Sequence, residues 1–177
     1  RDADYWIERL RLAPHPEGGY YREIYRSECE GAFTAFEVRR SVATSIYFLL
    51  TRKRPSFLHR LRQEEIWSYH AGADIDLHLF DPEARSYRRI RVGCSEGAEP
   101  QGVVPAGCWF AATLAEEHGI EEPDLDDGQS IDSYALAGCI VVPGFRFADF
   151  TLGKSTELLP LFPDQADLVR KLCADLR

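Results

Sequence analysis

The chain has 177 residues, 45% of them hydrophobic and 28% charged, which is typical of one globular domain large enough to bury a core. Its formal net charge of −8 argues against a nucleic-acid partner, and no apolar run approaches the ~20 residues of a membrane span. No signal peptide is recognisable. We therefore expect a protein without nucleic-acid or membrane partners.

The five cysteines are scattered, odd in number and never spaced as C-x-x-C. This pattern argues against a disulfide framework or a zinc knot and indicates a reducing compartment, so we expect a cytoplasmic location. Residues 116–132 contain eight acidic side chains and no Lys or Arg, which leaves 21 acidic and 21 basic residues elsewhere. We interpret this segment as a solvated loop.

The predicted elements are short strands with turns between them, and helices only near the termini. An aspartate cap at Asp2 or Asp4 predicts a helix over residues 5–12, and an amphipathic pattern predicts a second helix over 164–176. Eight to ten strands with turns every ~8–12 residues predict an all-β sandwich or barrel. The predicted strands cover residues 20–25, 41–51, 56–61, 65–69, 74–80, 87–92, 103–114 as a bent pair, and 133–142.

The stretch from Ser56 to Gly72 places a histidine and a carboxylate on one apolar wall. Side chains alternate along a strand with period 2, so His59 shares a face with Phe57 and Leu61. After a polar turn, Glu65 can share the same face with Trp67 and Tyr69. A His and a Glu inside an apolar cavity form a metal pair, an acid/base pair or a buried hydrogen bond. The pattern leaves these three alternatives open.

The strand at residues 20–25 follows two glycines and carries Arg22 and Glu23 among three tyrosines. These residues either line a polar site or form a cross-strand ion pair at an edge. Tyr20 and Arg22 are candidate ligand-binding residues, because an arginine there could hold a phosphate or a carboxylate.

Four separated sequence blocks, which begin at His15, His59, Pro100 and Tyr134, together resemble one small branch of the cupin superfamily whose members are mainly of unknown function. H-x-L-x3-E-x6-G, from His59 to Gly72, is similar to the first cupin motif, and P-x-G at Pro105 and Gly107 to the start of the second. H-P-E-G-G-Y-Y-R-E near the start and Y-A-L-A-G-C-I-V-V-P-G-F-R-F near the end add to the likeness.

The resemblance implies a cupin jelly roll, which is a double-stranded β-helix, formed by one domain over residues 1–177 with its core at about 12–152 and a homodimeric assembly. It also implies a metal ion with four protein ligands, which are two histidines and a glutamate from the first motif and one histidine from the second. In this chain His59 and Glu65 match, whereas Leu61 and Phe110 occupy the other two positions. Since catalytic metal sites generally use three protein ligands, we expect no tightly held metal. A divalent metal would need another ligand, such as Gln101 or Gln63.

Sugar-nucleotide epimerases of similar fold use a His base and a Tyr acid, so one hypothesis is a metal-independent epimerase or isomerase acting on a sugar or sugar nucleotide. His59 would be the base, Glu65 would orient it, and Tyr69 or Tyr134 would be the acid. The alternatives are a non-catalytic small-molecule-binding protein, a metal-dependent cupin enzyme, and a purely structural His–Glu contact. Further candidate ligand-binding residues are Ser56, Trp67, Gln101 and Trp109.

Overall fold

The computed structural model describes residues 1–115 and 133–176, so the acidic segment 116–132 lies outside the described residues. Nine strands of at least four residues fall within these two ranges, in agreement with the predicted eight to ten. In chain order the strands are β1 (Ala13–Pro14), β2 (Tyr20–Arg26), β3 (Glu30–Gly31), β4 (Arg40–Ser41), β5 (Thr44–Thr51), β6 (Ser56–Arg60), β7 (Glu64–Gly72), β8 (Ile75–Asp81), β9 (Ser86–Val92), β10 (Gln101–Val104), β11 (Trp109–Leu114), β12 (Tyr134–Val142) and β13 (Thr151–Leu152).

Two antiparallel sheets form the body of the molecule. The first has the order β1-β2-β5-β12-β7-β10, and the second has the order β13-β6-β11-β8-β9. A third pair, β3 and β4, is a small separate ribbon. Strands that are distant in sequence, such as β5 and β12, are neighbours in a sheet, as the jelly-roll topology requires. The predicted cupin-type jelly roll is confirmed.

The main hydrophobic core lies between the two sheets. Phe48 and Trp67 from the first sheet meet Leu77, Leu79 and Phe110 from the second, and all five side chains are almost fully buried. These residues alternate with outward-facing ones along their strands, which is the pattern expected of a two-layer β structure. The side chains of both sheets therefore exclude water from the space between them.

Helices cover the outer faces of both sheets at the chain ends. Helix α1 (Ala3–Leu10) packs on the first sheet, against Leu49 and Leu136. The short helices α2 (Ser155–Leu158) and α3 (Ala166–Leu172) pack on the second sheet, against Leu58 and Trp109. The 3₁₀ turns are Phe147–Asp149, Pro163–Gln165 and Ala174–Leu176.

The helix boundaries differ from the predicted ones for local reasons. Helix α1 begins two residues early, because the Asp2 carboxylate accepts a hydrogen bond from the Tyr5 amide, and it ends where Arg11 adopts a left-handed conformation with φ 53°. The predicted C-terminal helix over 164–176 is shorter, since only Ala166–Leu172 is α-helical and 3₁₀ turns flank it. Within the described ranges no helix has the length and hydropathy of a membrane span.

A tight loop at residues 15–19 carries two ionisable side chains onto β6. The His15 amide donates to the Gly19 carbonyl, the Gly18 amide donates to the His15 carbonyl, and the Phe57 amide donates to the Glu17 carbonyl at 2.7 Å. Gly18 has φ +107°, and a Cβ built there would lie 1.9 Å from the Pro55 carbonyl oxygen. Only glycine meets both demands, so Gly18 fixes the approach of this loop to the second sheet.

Replacing Gly18 with alanine should destabilise the protein more than replacing Gly97 with alanine. Gly97 also has a positive φ, of +81°, but a Cβ there would meet nothing within 4 Å. The left-handed conformation alone costs an alanine about 1–2 kcal/mol, and the collision with Pro55 adds to this at Gly18 only. Urea unfolding of Gly18→Ala and Gly97→Ala measures the difference, and equal losses would contradict the proposed close approach.

Candidate functional site

A cavity of about 420 Å³ opens at one end of the space between the sheets. Its floor is polar and carries four ionisable side chains, while its walls are mostly apolar. Residues from the 15–19 loop, from strands β2, β5, β6, β7 and β12, and from the segment after β12 surround it. The lining residues are His15, Glu17, Tyr21, Glu23, Arg26, Thr44, Ile46, His59, Leu61, Glu65, Cys139, Val141, Phe145, Arg146 and Phe147.

His59 and Glu65 both line this cavity, as the strand periodicity predicts. They belong to β6 and β7, which lie in different sheets, and their side chains are 1% and 6% exposed. The two apolar residues at the remaining metal positions are also close, since Leu61 lines the cavity and the Phe110 ring lies 4.0 Å from the His59 ring, centroid to centroid. His59 and Glu65 therefore lie in one cavity, although they come from two facing sheets rather than from one wall, and their predicted roles stay predictions.

The carboxyl group in contact with His59 is that of Glu17. Its Oε2 lies 3.2 Å from His59 Nε2, and its Oε1 accepts a hydrogen bond of 2.8 Å from the Ser56 hydroxyl. Glu17 is 6% exposed and also lies 3.4 Å from His15 Nδ1. One carboxyl group of the glycine loop is thus shared by a serine and two histidines.

Hydrogen-bond donors and acceptors fix where the proton of this pair resides. His59 Nδ1 lies 2.8 Å from the Phe57 carbonyl, which can only accept, so Nδ1 carries a hydrogen. In the neutral ring Nε2 is then an acceptor, and it faces Glu17 Oε2. A proton must lie between these two atoms, because otherwise two lone pairs would face each other in a buried site.

Burial decides which partner holds that proton. Burial lowers the pKa of His59 to about 3, with the Phe57 carbonyl opposing the change and His15 adding to it. Burial raises the pKa of Glu17 well above its ordinary value, and the nearby charge of Glu65 raises it further. Both directions favour a protonated Glu17 that donates to a neutral His59.

His15 is a second neutral imidazole at the floor. Burial lowers its pKa to about 4, and its Nδ1 accepts a hydrogen bond of 3.3 Å from the Glu17 amide. Its ring packs edge-on against Tyr21, with 4.5 Å between centroids. His15 therefore holds Glu17 from one side, while Ser56 holds it from the other.

Glu65 is a buried carboxyl group whose pKa lies near neutrality. Burial raises its pKa from 4.5 to about 7, while the Cys139 thiol and the Trp67 indole oppose the change. The Trp67 Nε1 nevertheless has no hydrogen-bond partner among the described residues, so the indole acts on Glu65 through proximity only. Near neutrality Glu65 can therefore either accept or donate a proton.

The cavity mouth is formed by the segment 145–150, which a buried ion pair anchors. Arg40 and Gln63 both donate to Asp149 Oδ2, and Arg40 and Asp149 are 3% and 6% exposed. Arg40 also lies over the Phe36 ring. This cluster ties the mouth segment to the start of β7 and to the β3–β4 ribbon.

The other predicted catalytic residues, Tyr69 and Tyr134, do not line this cavity. The Tyr69 hydroxyl donates to the Gly72 carbonyl, farther along β7, and the Tyr134 hydroxyl accepts from Trp6 Nε1 beneath helix α1. Tyr21 is the tyrosine that the structure brings to the cavity. Any catalytic role of Tyr69 or Tyr134 stays a prediction.

Most predicted ligand-binding residues also lie away from the cavity. Tyr20 and Arg22 face the outer side of the first sheet, where the guanidinium groups of Arg54 and Arg22 lie over the rings of Tyr20 and Tyr47. Gln101 is exposed and donates to Ser68. The cavity lining includes none of these residues.

The remaining three predicted residues are buried packing or supporting groups. Trp67 belongs to the core between the sheets, next to Phe48, and Trp109 packs beneath the C-terminal helices on the outer face of the second sheet. Ser56 is fully buried and reaches the site through its hydrogen bond to Glu17. Ser56 is thus adjacent to the site without lining it.

Sequence reasoning missed His15, Glu17, Tyr21, Arg26 and Arg146 as site residues. His15 and Glu17 lie two residues apart immediately before the paired glycines, within a block already singled out for its resemblance. An ionisable pair at the base of a Gly-Gly turn was the available signal. Arg26 and Arg146 offered no comparable signal. Periodicity does not show which face of β2 is internal, and it does not predict the direction of a side chain in the irregular segment after β12.

The arrangement does not fit the metal that the resemblance implies. His59 Nε2, the nitrogen left for an ion, faces the protonated Glu17, and Leu61 and Phe110 stand where histidines are expected. Among residues 1–115 and 133–176, no three His, Cys, Asp or Glu side chains are disposed to hold one metal ion. The Glu17–His59 contact takes the place of a His59–metal bond.

Replacing Glu17 with glutamine should leave the protein about as stable as the wild type. An amide can accept from Ser56 and donate to His59, as the protonated acid does, so we expect a change within about 1 kcal/mol. Glu17→Ala should cost about 2–4 kcal/mol, because it leaves a void and unpaired groups. Urea unfolding at pH 7 compares them, and a glutamine variant as unstable as the alanine variant would indicate a charged His59–Glu17 pair.

Replacing Glu65 with glutamine should change how stability depends on pH. The pKa of Glu65 in the folded protein, about 7, exceeds its ordinary value of 4.5, so its contribution to stability is full below pH 4.5 and is lost as pH rises through 7. Relative to the wild type, Glu65→Gln should therefore gain up to about 3 kcal/mol between pH 4.5 and pH 8. Urea unfolding at several pH values across this range measures the free energy of unfolding of both proteins, and Glu64→Gln, at the exposed neighbouring position, is the control. A stability difference between Glu65→Gln and the wild type that does not change with pH would refute the prediction.

Comparisons with known proteins agree with this fold. A hypothetical protein from Leishmania major is 38% identical, with TM-score 0.83 over 98% of this chain and 99% of that one. A protein from Shewanella oneidensis is 34% identical, with TM-score 0.81 over 98% of both chains. The uncharacterized protein YML079W from Saccharomyces cerevisiae is 28% identical over 86% of this chain and 76% of its own length. The profile of the family described as "Cupin superfamily (DUF985)" matches residues 4–153, so the chain belongs to this family of the cupin superfamily.

Proposed function

We propose that the cavity binds a small polar carbonyl compound and catalyses proton transfer on it, as an isomerase or epimerase does, by acid/base chemistry of its own side chains. One observation carries this proposal. A carboxyl group with a pKa of about 7, Glu65, lines the same cavity as the proton-sharing pair Glu17 and His59. Acid/base catalysts work best when their pKa lies near the working pH, and a shared proton next to one of them supplies the second group.

The roles follow from the protonation states. Ionised Glu65 removes a proton from the carbon beside the substrate carbonyl. The Glu17–His59 pair delivers its one proton to the oxygen on which negative charge develops, from either Glu17 Oε2 or His59 Nε2. In isomerisation Glu65 returns its proton to the adjoining carbon, and the Glu17–His59 pair recovers a proton from the hydroxyl that becomes the new carbonyl. In epimerisation water protonates the same carbon from the other face, Glu65 releases its proton to solvent, and the pair recovers the proton from the oxygen. Both routes restore the protonation states of the side chains.

This proposal keeps His59 and Glu65 as the central residues and adds Glu17 to them. Glu17 makes the contact with His59 that was expected of Glu65, so the orienting role belongs to Glu17 in the proposal. Tyr21, which lines the cavity beside His15, is the tyrosine within reach of a bound molecule. Ser56 fixes the orientation of Glu17 by donating to its other oxygen, although this hydrogen bond opposes the effect of burial on the pKa of Glu17.

The second candidate function is binding without chemistry. The cavity lining is largely apolar and aromatic with a few converging polar groups, which is equally typical of a ligand-binding pocket. The two candidates differ in one observable, because only an enzyme exchanges a substrate proton with solvent. A metal-dependent enzyme would differ from both, because a chelator would abolish its activity.

The wild-type protein in D₂O should exchange the proton beside the carbonyl of a suitable compound from a panel of aldoses, ketoses and hydroxy acids. His59→Gln should slow this exchange about 100-fold or more, the usual contribution of an acid/base group. Proton NMR of the compound follows the loss of signal. His78→Gln, which changes a histidine outside the cavity, is the matched control.

Three results would contradict the proposal in different ways. No exchange with any compound that raises the melting temperature would favour binding without chemistry. Undiminished exchange by a folded His59→Gln protein would remove the Glu17–His59 pair from the mechanism. Exchange that a chelator abolishes and an added divalent ion restores would favour the metal-dependent alternative.

The expected homodimer and cytoplasmic location stay predictions. On its outer side, strand β2 pairs only with the two-residue strand β1, so most of β2 lies at the edge of the first sheet. Its side chains Ile24 and Tyr25 are 43% and 55% exposed. A second copy covering this edge would bury both side chains. All five cysteines are unpaired thiols, which is consistent with a reducing compartment.

A further inference from the structure

The charged groups of the cavity are divided between its floor and its mouth. Arg26, Glu23 and Arg146 line it together with the acids and histidines of the floor. Both oxygens of Glu23 are bound by Arg26, at 2.9 Å from Nε and 2.6 Å from Nη2. The charge of Glu23 is thus matched by that of Arg26, and this ion pair is close to neutral as a unit.

Arg146 is the unmatched charge at the mouth. Its Nη2 donates to the Arg39 carbonyl at 2.9 Å, and among the described residues no carboxylate lies within ion-pair distance of it. Most of its guanidinium donors are therefore available, and the mouth carries a net positive charge. The neutralised Arg26 lies next to Arg146 in space, because its Nη1 donates to the Phe145 carbonyl.

The floor offers the same anion no comparable partner. Its ionisable side chains are two carboxyl groups and two imidazoles, without a lysine or an arginine. The imidazole nitrogens His15 Nδ1 and His59 Nε2 both face Glu17 rather than the open cavity. A molecule with one anionic end would therefore enter with its uncharged polar end toward the floor and its anion toward Arg146.

The cavity volume suits a small molecule. At about 30 Å³ for each water, 420 Å³ corresponds to about fourteen waters, which is close to the number of non-hydrogen atoms in a monosaccharide or a short-chain acid. Phe147 is 54% exposed and its ring lies nearly parallel to that of His15, at 22°, so a flat apolar face is offered beside the anion position.

We propose that the ligand of this site is a small molecule with a single anionic group, a carboxylate or a phosphate monoester, and that this group binds Arg146 at the cavity mouth. This inference rests on the proposed function for the orientation of the reacting end, and it names the substrate class for that function. It does not require the ligand to be a nucleotide.

Inorganic phosphate and acetate are the probes, because each presents only the anionic group. Titrated into the ¹⁵N-labelled protein, at least one of them should shift the backbone amide signals of Arg146 and Phe147 with saturation. Arg146→Gln should weaken this binding about tenfold or more, the effect of losing one direct charge pair. Arg88→Gln, which removes the same charge from a separate pocket of about 240 Å³, should leave it unchanged.

The two probes also distinguish the two anion chemistries. Tighter binding of phosphate indicates a monophosphate ligand, and tighter binding of acetate indicates a carboxylate. Glucose 6-phosphate and glucuronate, compared with glucose, extend the test to a molecule that fills the cavity. The anionic sugars should bind the wild type more tightly than glucose does, and Arg146→Gln should remove that advantage.

Each contrary result overturns a defined part of the proposal. Absence of saturable shifts with both phosphate and acetate, or equal affinity in Arg146→Gln and the wild type, overturns the anion site. Arg146-dependent anion binding by a protein that exchanges no substrate proton leaves the anion site standing and removes the proton-transfer function. Exchange of a substrate proton by a protein whose anion binding does not depend on Arg146 leaves the proton-transfer function standing and removes the anion site.

Discussion

A carboxyl group buried without a counter-charge keeps its proton, and the cavity floor depends on this constraint. Glu17 is enclosed by Ser56, His15 and His59, none of which is positively charged. Its proton therefore adds a third link between the glycine loop and strand β6, beside the hydrogen bonds from the Phe57 amide and the Ser56 hydroxyl. Because Glu65 lies close enough to raise the pKa of Glu17, ionisation of one acid makes ionisation of the other harder. The floor thus behaves as one titrating unit.

Strand periodicity predicted a sandwich or barrel, and the motif resemblance narrowed this prediction to the jelly roll. Ile75, Leu77 and Leu79 of β8 face the space between the sheets, as their spacing indicates. His78 points to the other face of the sheet and is also buried there, so the spacing predicts direction but not exposure. The element ends were less predictable. The left-handed Arg11 that ends helix α1 and the 3₁₀ turns around α3 depend on local backbone conformations that a hydrophobic pattern does not record.

The candidate site was predictable only where it lies on strands with one known face. His59 and Glu65 share the interior with Leu61 because parity places them there. Parity alone did not decide which side of β2 is internal, so Arg22 was a candidate. In the structure the opposite face of β2 lines the cavity. A register shift between Glu23 and Tyr25 then brings Arg26 to the cavity as well. His15 and Glu17 lie in a turn, where side-chain direction depends on the positive φ of Gly18 rather than on period.

Floor and mouth of the cavity come from separate parts of the fold. The floor comes from the glycine loop and from strands β6 and β7, whereas the mouth segment is held through Asp149 by Arg40 and Gln63, which do not line the cavity. Substitutions at these two anchoring positions can reshape the entrance without touching an ionisable group of the floor. Relatives with this architecture can therefore diverge in the molecules that they admit while they retain a common set of proton-handling groups.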